Sequence, residues 1–86
     1  MKKNELEKIN RAIGYLYSLE PKSFKEVEEL VSVYNTDEES YADFYYGIPD
    51  TDYCIEGCFC TKDEKIEMTS NFTVLDNEQN VVFDID

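Results

Sequence analysis

The spacing of apolar residues changes in the middle of this chain, and no other feature of the sequence constrains its fold as much. Before residue 50, apolar side chains recur every three or four positions, as Leu6, Ile9, Ile13 and Leu16 do, and this is the period of an amphipathic helix. After residue 50 they recur at every second position, which is typical of strands with one buried face. Helices followed by strands predict an α+β domain, and a chain of 86 residues has room for one domain only.

Capping residues indicate where the helices begin. Asn4 is a suitable N-cap for the first helix. Ser23 and Glu26 have the spacing of a capping box, in which each side chain accepts a hydrogen bond from the backbone N–H of the other. Thr36 and Glu39 repeat that spacing. The predicted helices therefore cover about 5–19, 24–34 and 37–46.

The second half of the chain predicts three strands, at about 53–60, 65–75 and 81–85, separated by short polar turns. Consecutive strands joined by short turns form an antiparallel meander with one apolar face and one polar face. A small sheet cannot bury its apolar face alone, so we expect two to three N-terminal helices to pack on that face. The whole chain, 1–86, is then a single α+β domain.

The charge is strongly negative and unevenly distributed. The chain has 20 acidic and eight basic residues, for a net charge of −12. Residues 1–25 hold six cations against three acids, whereas residues 26–86 hold two cations against 17 acids. Such a charge steers a protein toward positive surfaces, and it disfavours nucleic acid and anionic membranes as direct partners.

The residues that catalysis requires are not apparent. The chain has no histidine and only three glycines, so it offers neither the commonest general base nor a glycine-rich phosphate loop. We therefore expect no enzymatic activity, no catalytic residues and no cofactor. Three cysteines without a hydrophobic leader, or any run of about 20 apolar residues, predict a reducing cytoplasm as the location.

Two stretches resemble metal sites without meeting their requirements. Cys54, Cys58 and Cys60 offer three thiols where a structural zinc site needs four ligands, and on a strand they share one face with Glu56. We expect three partly buried free thiols there. Residues 76–80 begin like a calcium-binding loop, but Val81 stands where that loop needs glycine. A polar turn is predicted instead, and no metal site.

The middle of the chain is the candidate binding surface. Between Glu26 and Thr61 there are ten acids and no cation, and tyrosines are interleaved with the later acids. Tyrosine is enriched at protein interfaces because it offers both apolar area and a hydroxyl group. The predicted partner-binding residues are Asp37, Glu38, Glu39, Tyr41, Asp43, Tyr45, Tyr46, Asp50, Asp52 and Glu56.

Small size, extreme acidity, interleaved tyrosines and the lack of a catalytic set resemble one class of protein. This class is the small acidic anti-defence proteins of phages and mobile elements, the anti-CRISPR and anti-restriction inhibitors that mimic DNA. The resemblance implies an inhibitor that occupies the basic nucleic-acid-binding surface of a CRISPR effector, a restriction enzyme or another DNA-binding protein. For a phage-encoded protein of this class, the resemblance implies action in the cytoplasm of the host cell.

A second hypothesis explains the same composition without mimicry. An antitoxin, an immunity-type protein or a small regulatory subunit would neutralise one basic partner through the acidic surface and an apolar anchor. A salt-sensitive complex that DNA displaces favours mimicry, and a salt-resistant complex favours the second hypothesis.

Overall fold

The chain folds into two helices followed by six strands, which confirms the predicted α+β class. The structure is a computed structural model that describes residues 2–37 and 39–85. None of its helices, within those residues, has the length and apolar character needed to cross a membrane. The elements are α1 (Lys3–Ser18), α2 (Phe24–Leu30), β1 (Ser32–Thr36), β2 (Tyr41–Gly47), β3 (Cys54–Lys62), β4 (Lys65–Met68), β5 (Phe72–Leu75) and β6 (Val81–Ile85).

The strands form one antiparallel sheet in the order β1-β2-β3-β5-β6, with β4 also paired to β3. Consecutive strands pair with each other except β4 and β5, which both pair with β3, so the predicted three-stranded meander fits only in part. The predicted number of three strands is wrong, because the described residues contribute six. The two additional strands at the front of the sheet come from residues that were predicted to be helical.

The first helix begins earlier than predicted. Its N-cap is Lys2, and the Glu5 side chain accepts a hydrogen bond from the Lys2 backbone N–H at 3.2 Å. The prediction that Asn4 is the cap is therefore wrong, since this residue already lies inside the first turn. A carboxylate in the first turn also interacts favourably with the positive end of the helix dipole.

The second helix has half of its predicted capping box. Ser23 Oγ accepts a hydrogen bond from the Glu26 backbone N–H at 3.2 Å, as predicted. The Glu26 carboxylate accepts instead from the backbone N–H of Lys22, at 3.3 Å. The helix ends at Leu30 rather than at residue 34, because β1 begins at Ser32.

The predicted third helix, 37–46, is wrong, because this stretch is a turn followed by β2. Ala42 and Phe44 are fully buried while Asp43 between them is partly exposed, which is the alternation of a strand. Aromatic side chains favour strands because they pack well on a pleated surface. Asp37 and Glu39, which the predicted helix would place in its first turn, lie instead in the β1–β2 turn.

The predicted strand 65–75 is interrupted at Thr69–Asn71 and becomes β4 and β5. Both halves still pair with β3, through Phe59 with Met68 in one half and Glu56 with Thr73 in the other. The interruption lies opposite the middle of β3, where the Thr69 N–H donates to the Cys58 carbonyl at 2.8 Å.

The helices cover one face of the sheet, and within residues 2–37 and 39–85 no helix covers the other face. Ile9, Ala12 and Leu16 of α1 are buried in the same cluster as Phe24 and Val27 of α2. Leu6 is 40% exposed, so the buried stripe of α1 differs from the predicted one at that residue. Burying each large apolar side chain contributes about 1.5–3 kcal/mol. The fully buried large side chains are Ile9, Leu16, Val27, Phe44, Ile55, Phe59 and Val74.

Two local features of β3 are constrained by backbone geometry. Gly57 pairs with Phe44 across the β2–β3 ladder, and a Cβ atom at position 57 would lie 3.1 Å from the Phe44 ring.

At its C-terminal end, β3 turns into β4 through Asp63 and Glu64, whose φ angles are 52° and 66°. A two-residue hairpin turn with two positive φ angles is of type I′.

Candidate functional site

The uncovered face of the sheet brings together four of the predicted binding residues. Tyr41, Asp43 and Tyr45 alternate with the buried residues of β2, and Glu56 lies opposite Tyr45 in β3. We name this surface the open face. It carries Tyr34, Asn35, Tyr41, Asp43, Tyr45, Cys54, Glu56, Cys58, Cys60, Thr73 and Asp84, with Lys62, Lys65 and Glu67 at its β3–β4 end.

The other predicted binding residues lie elsewhere. Asp37 and Glu39 are in the β1–β2 turn, and Asp50 and Asp52 are in the β2–β3 loop at the opposite end of β2. A seven-residue strand separates the two groups by roughly 20 Å. Tyr46 is on the helix-covered side, where its ring contacts that of α1 residue Tyr15 at 5.8 Å between centroids. Glu38 lies outside the described residues.

Asp37 has a structural role in the β1–β2 turn. Its Oδ1 accepts hydrogen bonds from the backbone N–H groups of Glu39, Ser40 and Tyr41, at 3.0, 2.6 and 3.1 Å. These bonds lower the pKa of the carboxyl group to about 2, and the bond from the Ser40 N–H has the largest effect. Asp76 closes the β5–β6 turn in the same way, through the N–H groups of Asn80 and Glu78. Neither carboxylate is therefore fully available to a partner.

The carboxylates of the open face are held by side chains from neighbouring strands. The Tyr34 hydroxyl donates to Glu56 Oε1 at 2.9 Å, and Asn35 Nδ2 donates to Asp43 Oδ2 at 3.0 Å. Across the sheet, Thr73 Oγ1 donates to Asp84 Oδ1 at 3.2 Å. All three bonds join side chains on exposed parts of the sheet, so they orient the carboxylates without neutralising them.

The geometry of Tyr34 depends on a bulge in β1. The pairing of β1 with β2 shifts register between Val33 and Asn35, and a bulge of this kind re-aims a side chain. The Tyr34 ring stacks on Tyr45, with centroids 4.6 Å apart and planes at 29°. Partial burial raises the pKa of the Tyr34 hydroxyl, and the hydrogen bond to Glu56 raises it further, so the group stays protonated at neutral pH.

The thiols of the open face are free and partly buried, as predicted. Burial raises the pKa of Cys58 to about 12, with the nearby Asp43 carboxylate as the next cause. Burial and Glu56 also raise the pKa of Cys54. Because the thiolate is the reactive form, these two cysteines are poor nucleophiles at neutral pH. Across residues 2–37 and 39–85, no group of three or more acids and cysteines is arranged to hold a metal ion.

The lysines of the sheet lie at one end of the open face. The sequence of β1, β2, β5 and β6 contains no lysine or arginine, and the two lysines of β3 and β4, Lys62 and Lys65, pair with each other at the β3–β4 hairpin. Lys62 lies four residues from Cys58, the partner of Asp43 in the ladder, or roughly 13 Å along the strand. This exceeds the screening length of about 8 Å at physiological ionic strength. The open face is therefore a locally negative surface.

Tyr34 and Asp84 are two residues of this surface that were not among the predicted binding residues. Tyr34 was assigned to the second helix, although Val31 and Val33 alternate with Ser32 and Tyr34 as they do in a strand. Asp84 lies in the last predicted strand, outside the acidic middle of the chain that was predicted to bind. Its position between two apolar residues was the signal that it shares the polar face.

The open face also contains a shallow depression. Its volume is about 450 Å³, and its walls include Tyr34, Asp43, Glu56, Thr73 and Asp84. Carboxylates and an aromatic ring therefore converge on one concave surface, which is suited to a cationic group rather than to an anion. Comparison of the chain with protein-family models, with curated proteins and with solved structures finds no match in any of the three.

Proposed function

We propose that this protein is a non-catalytic inhibitor whose open face occupies the basic nucleic-acid-binding surface of a host defence or DNA-binding protein. The observation that carries the proposal is the concentration of carboxylates at the centre of one sheet face, whose lysines, Lys62 and Lys65, lie at the β3–β4 end of the described sheet. Asp43, Glu56 and Asp84 lie on three different strands, and the stacked rings of Tyr34 and Tyr45 lie beside Glu56. In this respect the protein acts as the anti-CRISPR and anti-restriction DNA mimics do.

The dimensions support this proposal. The longest extent of the domain is 38 Å, and a DNA duplex of that length carries about 22 negative charges, at one per ~1.7 Å of axis. The net charge of the whole domain, −12, is about half of that number, so its charge per length is of the same order as that of duplex DNA.

Binding without mimicry is the second candidate function, and one observation favours it. The carboxylate of Asp37 is engaged in its own turn, and Asp50 and Asp52 lie beyond the far end of β2. The remaining acidic surface is compact and contains stacked tyrosines. A compact polar surface with aromatic anchors is typical of protein interfaces, such as those of an antitoxin or an immunity-type protein.

A capture experiment with matched variants tests the proposal. The immobilised protein is incubated with a lysate of a bacterial host, and the bound proteins are eluted first with duplex DNA and then with high salt. The test variant is Asp43→Asn with Glu56→Gln, in which both amides can still accept the hydrogen bonds of the native carboxylates. The control variant is Glu7→Gln with Glu20→Gln, which removes two exposed charges from α1 and the loop after it.

Under the proposal, DNA-binding proteins are captured, duplex DNA releases them, and the open-face variant loses them while the control variant retains them. If neither DNA nor high salt releases the captured proteins and only denaturant does, binding without mimicry is the correct function. Equal losses in the two variants would contradict both candidates, because they would show attraction by net charge alone.

A further inference from the structure

The centre of the open face has the components of a receptor for a planar cation. The stacked rings of Tyr34 and Tyr45 form an aromatic platform, and Tyr34 is 52% exposed. Glu56 lies beside the platform, because its Oε1 accepts the Tyr34 hydroxyl hydrogen bond. Asp43 lies diagonally across the β2–β3 ladder from Glu56, at a Cβ separation of about 7 Å.

We propose that this surface binds an arginine side chain presented by the partner. The guanidinium group stacks on the exposed face of Tyr34 and donates hydrogen bonds to Glu56 and Asp43. Stacking on an aromatic ring and bidentate bonding to carboxylates are combined in arginine alone among the cationic side chains. This proposal rests on the proposed function, since it specifies what the open face recognises in a basic partner.

The hydrogen bond from Tyr34 to Glu56 prepares the receptor. It fixes the ring and the carboxylate relative to each other, so less conformational entropy is lost on binding. It also occupies Oε1 with a neutral donor, and no hydrogen bond to Oε2 occurs among the described residues. One oxygen of Glu56 therefore remains for the partner.

Other occupants fit the surface less well. The described residues do not arrange three acids or cysteines for a metal ion. A second copy of the chain would place the acids of its own open face against Asp43, Glu56 and Asp84, and opposed like charges are destabilising. A lysine ammonium group can pair with a carboxylate, but it has no plane to stack on the tyrosine ring.

The test compares two blocked peptides that are identical except that one carries three arginines and the other three lysines. Binding of each to the full chain is measured by backbone amide NMR shifts at about 0.15 M salt, where distant charges are screened. We expect the arginine peptide to bind about fivefold more tightly, with the largest shifts in β1 and β3. In Tyr34→Leu this preference should disappear, while the weak affinity for the lysine peptide remains.

Tyr17→Leu is the matched control, because Tyr17 is similarly exposed, at 46%, but lies on α1. It should keep the arginine preference. Equal affinity for the two peptides in the native protein would overturn the inference, and so would a preference that survives Tyr34→Leu. The result is separable from the capture experiment, since an arginine preference can hold whether or not DNA displaces the captured partner.

Discussion

Replacement of Glu64 by glycine should stabilise the protein, because the native turn places a side chain in a backbone conformation that disfavours one. Glu64 has a φ angle of 66° at the second position of the β3–β4 hairpin. The left-handed conformation costs an L-residue about 1–2 kcal/mol, whereas glycine adopts it freely but loses more entropy on folding, about 0.5–1 kcal/mol. The expected net gain is about 0.5–1 kcal/mol.

The gain can be converted into a melting temperature. At about 2.1 cal/mol/K per residue, unfolding of 86 residues has an entropy of about 180 cal/mol/K. A gain of about 0.5–1 kcal/mol then raises the melting temperature by about 3–6 °C. Thermal unfolding followed by far-ultraviolet circular dichroism measures a shift of that size.

The charge that Glu64 carries must be separated from its conformation. Glu64→Gln removes the charge and keeps the strained backbone, so the difference between the two variants isolates the turn. Glu67→Gly, in the exposed and regular part of β4, should instead lower the melting temperature, because glycine weakens a strand. If Glu64→Gly melts no higher than Glu64→Gln, the assignment of strain to this turn is refuted.

Three further predictions concern the sheet and its turns. Gly57→Val should destabilise the fold by about 2 kcal/mol through overpacking, because its Cβ would lie 3.1 Å from the Phe44 ring; an unchanged urea midpoint would contradict this. The pKa of Asp37 is about 2 in the folded protein, below its usual value of 3.8. The ionised carboxylate therefore stabilises the fold fully above pH 3.8, and this stabilisation is lost as the pH falls toward 2. The stability difference between native protein and Asp37→Ala, measured by urea unfolding, should therefore narrow from about pH 5 to pH 2, and a constant difference would exclude this linkage. Asp43→Asn should speed alkylation of Cys58 at pH 8, measured by mass spectrometry, because the carboxylate helps to raise the thiol pKa; an equal rate would remove Asp43 as a cause.

Local periodicity predicted the elements whose sequence fits one period only. α1 has apolar residues at helical spacing, and residues 81–85 alternate cleanly, so both were predicted close to their observed bounds. The stretch from Tyr41 to Tyr46 fits both periods, since Tyr41, Phe44 and Tyr45 have helical spacing while Ala42, Phe44 and Tyr46 alternate. Pairing with β3 over seven residues decides between them. Such long-range pairing cannot be read from a local window.

Prediction of the open face required a correct prediction of β2, because β2 carries three of its residues. Treated as a helix, residues 37–46 place Asp43 beside Glu39, and the acids join into one continuous patch. As a turn and a strand, the same residues place Asp37 in a local hydrogen-bonded turn and bring Asp43 beside Cys58. The acidic and tyrosine residue types predicted part of the open face correctly. Which of these residues lie together depends on strand register, because a shift in register gives every side chain different neighbours.

The acids of this chain are used in two physically different ways, and the difference favours a functional explanation for the open face. Asp37 and Asp76 accept backbone hydrogen bonds that turns require, so folding alone accounts for them. Asp43 and Glu56 lie on a face without nearby cations, where their mutual repulsion lowers stability. Residues that reduce stability are retained where binding needs them. The variant Asp43→Asn with Glu56→Gln should therefore be at least as stable as the native protein while losing its partner, and a loss of stability would assign these carboxylates to the fold instead.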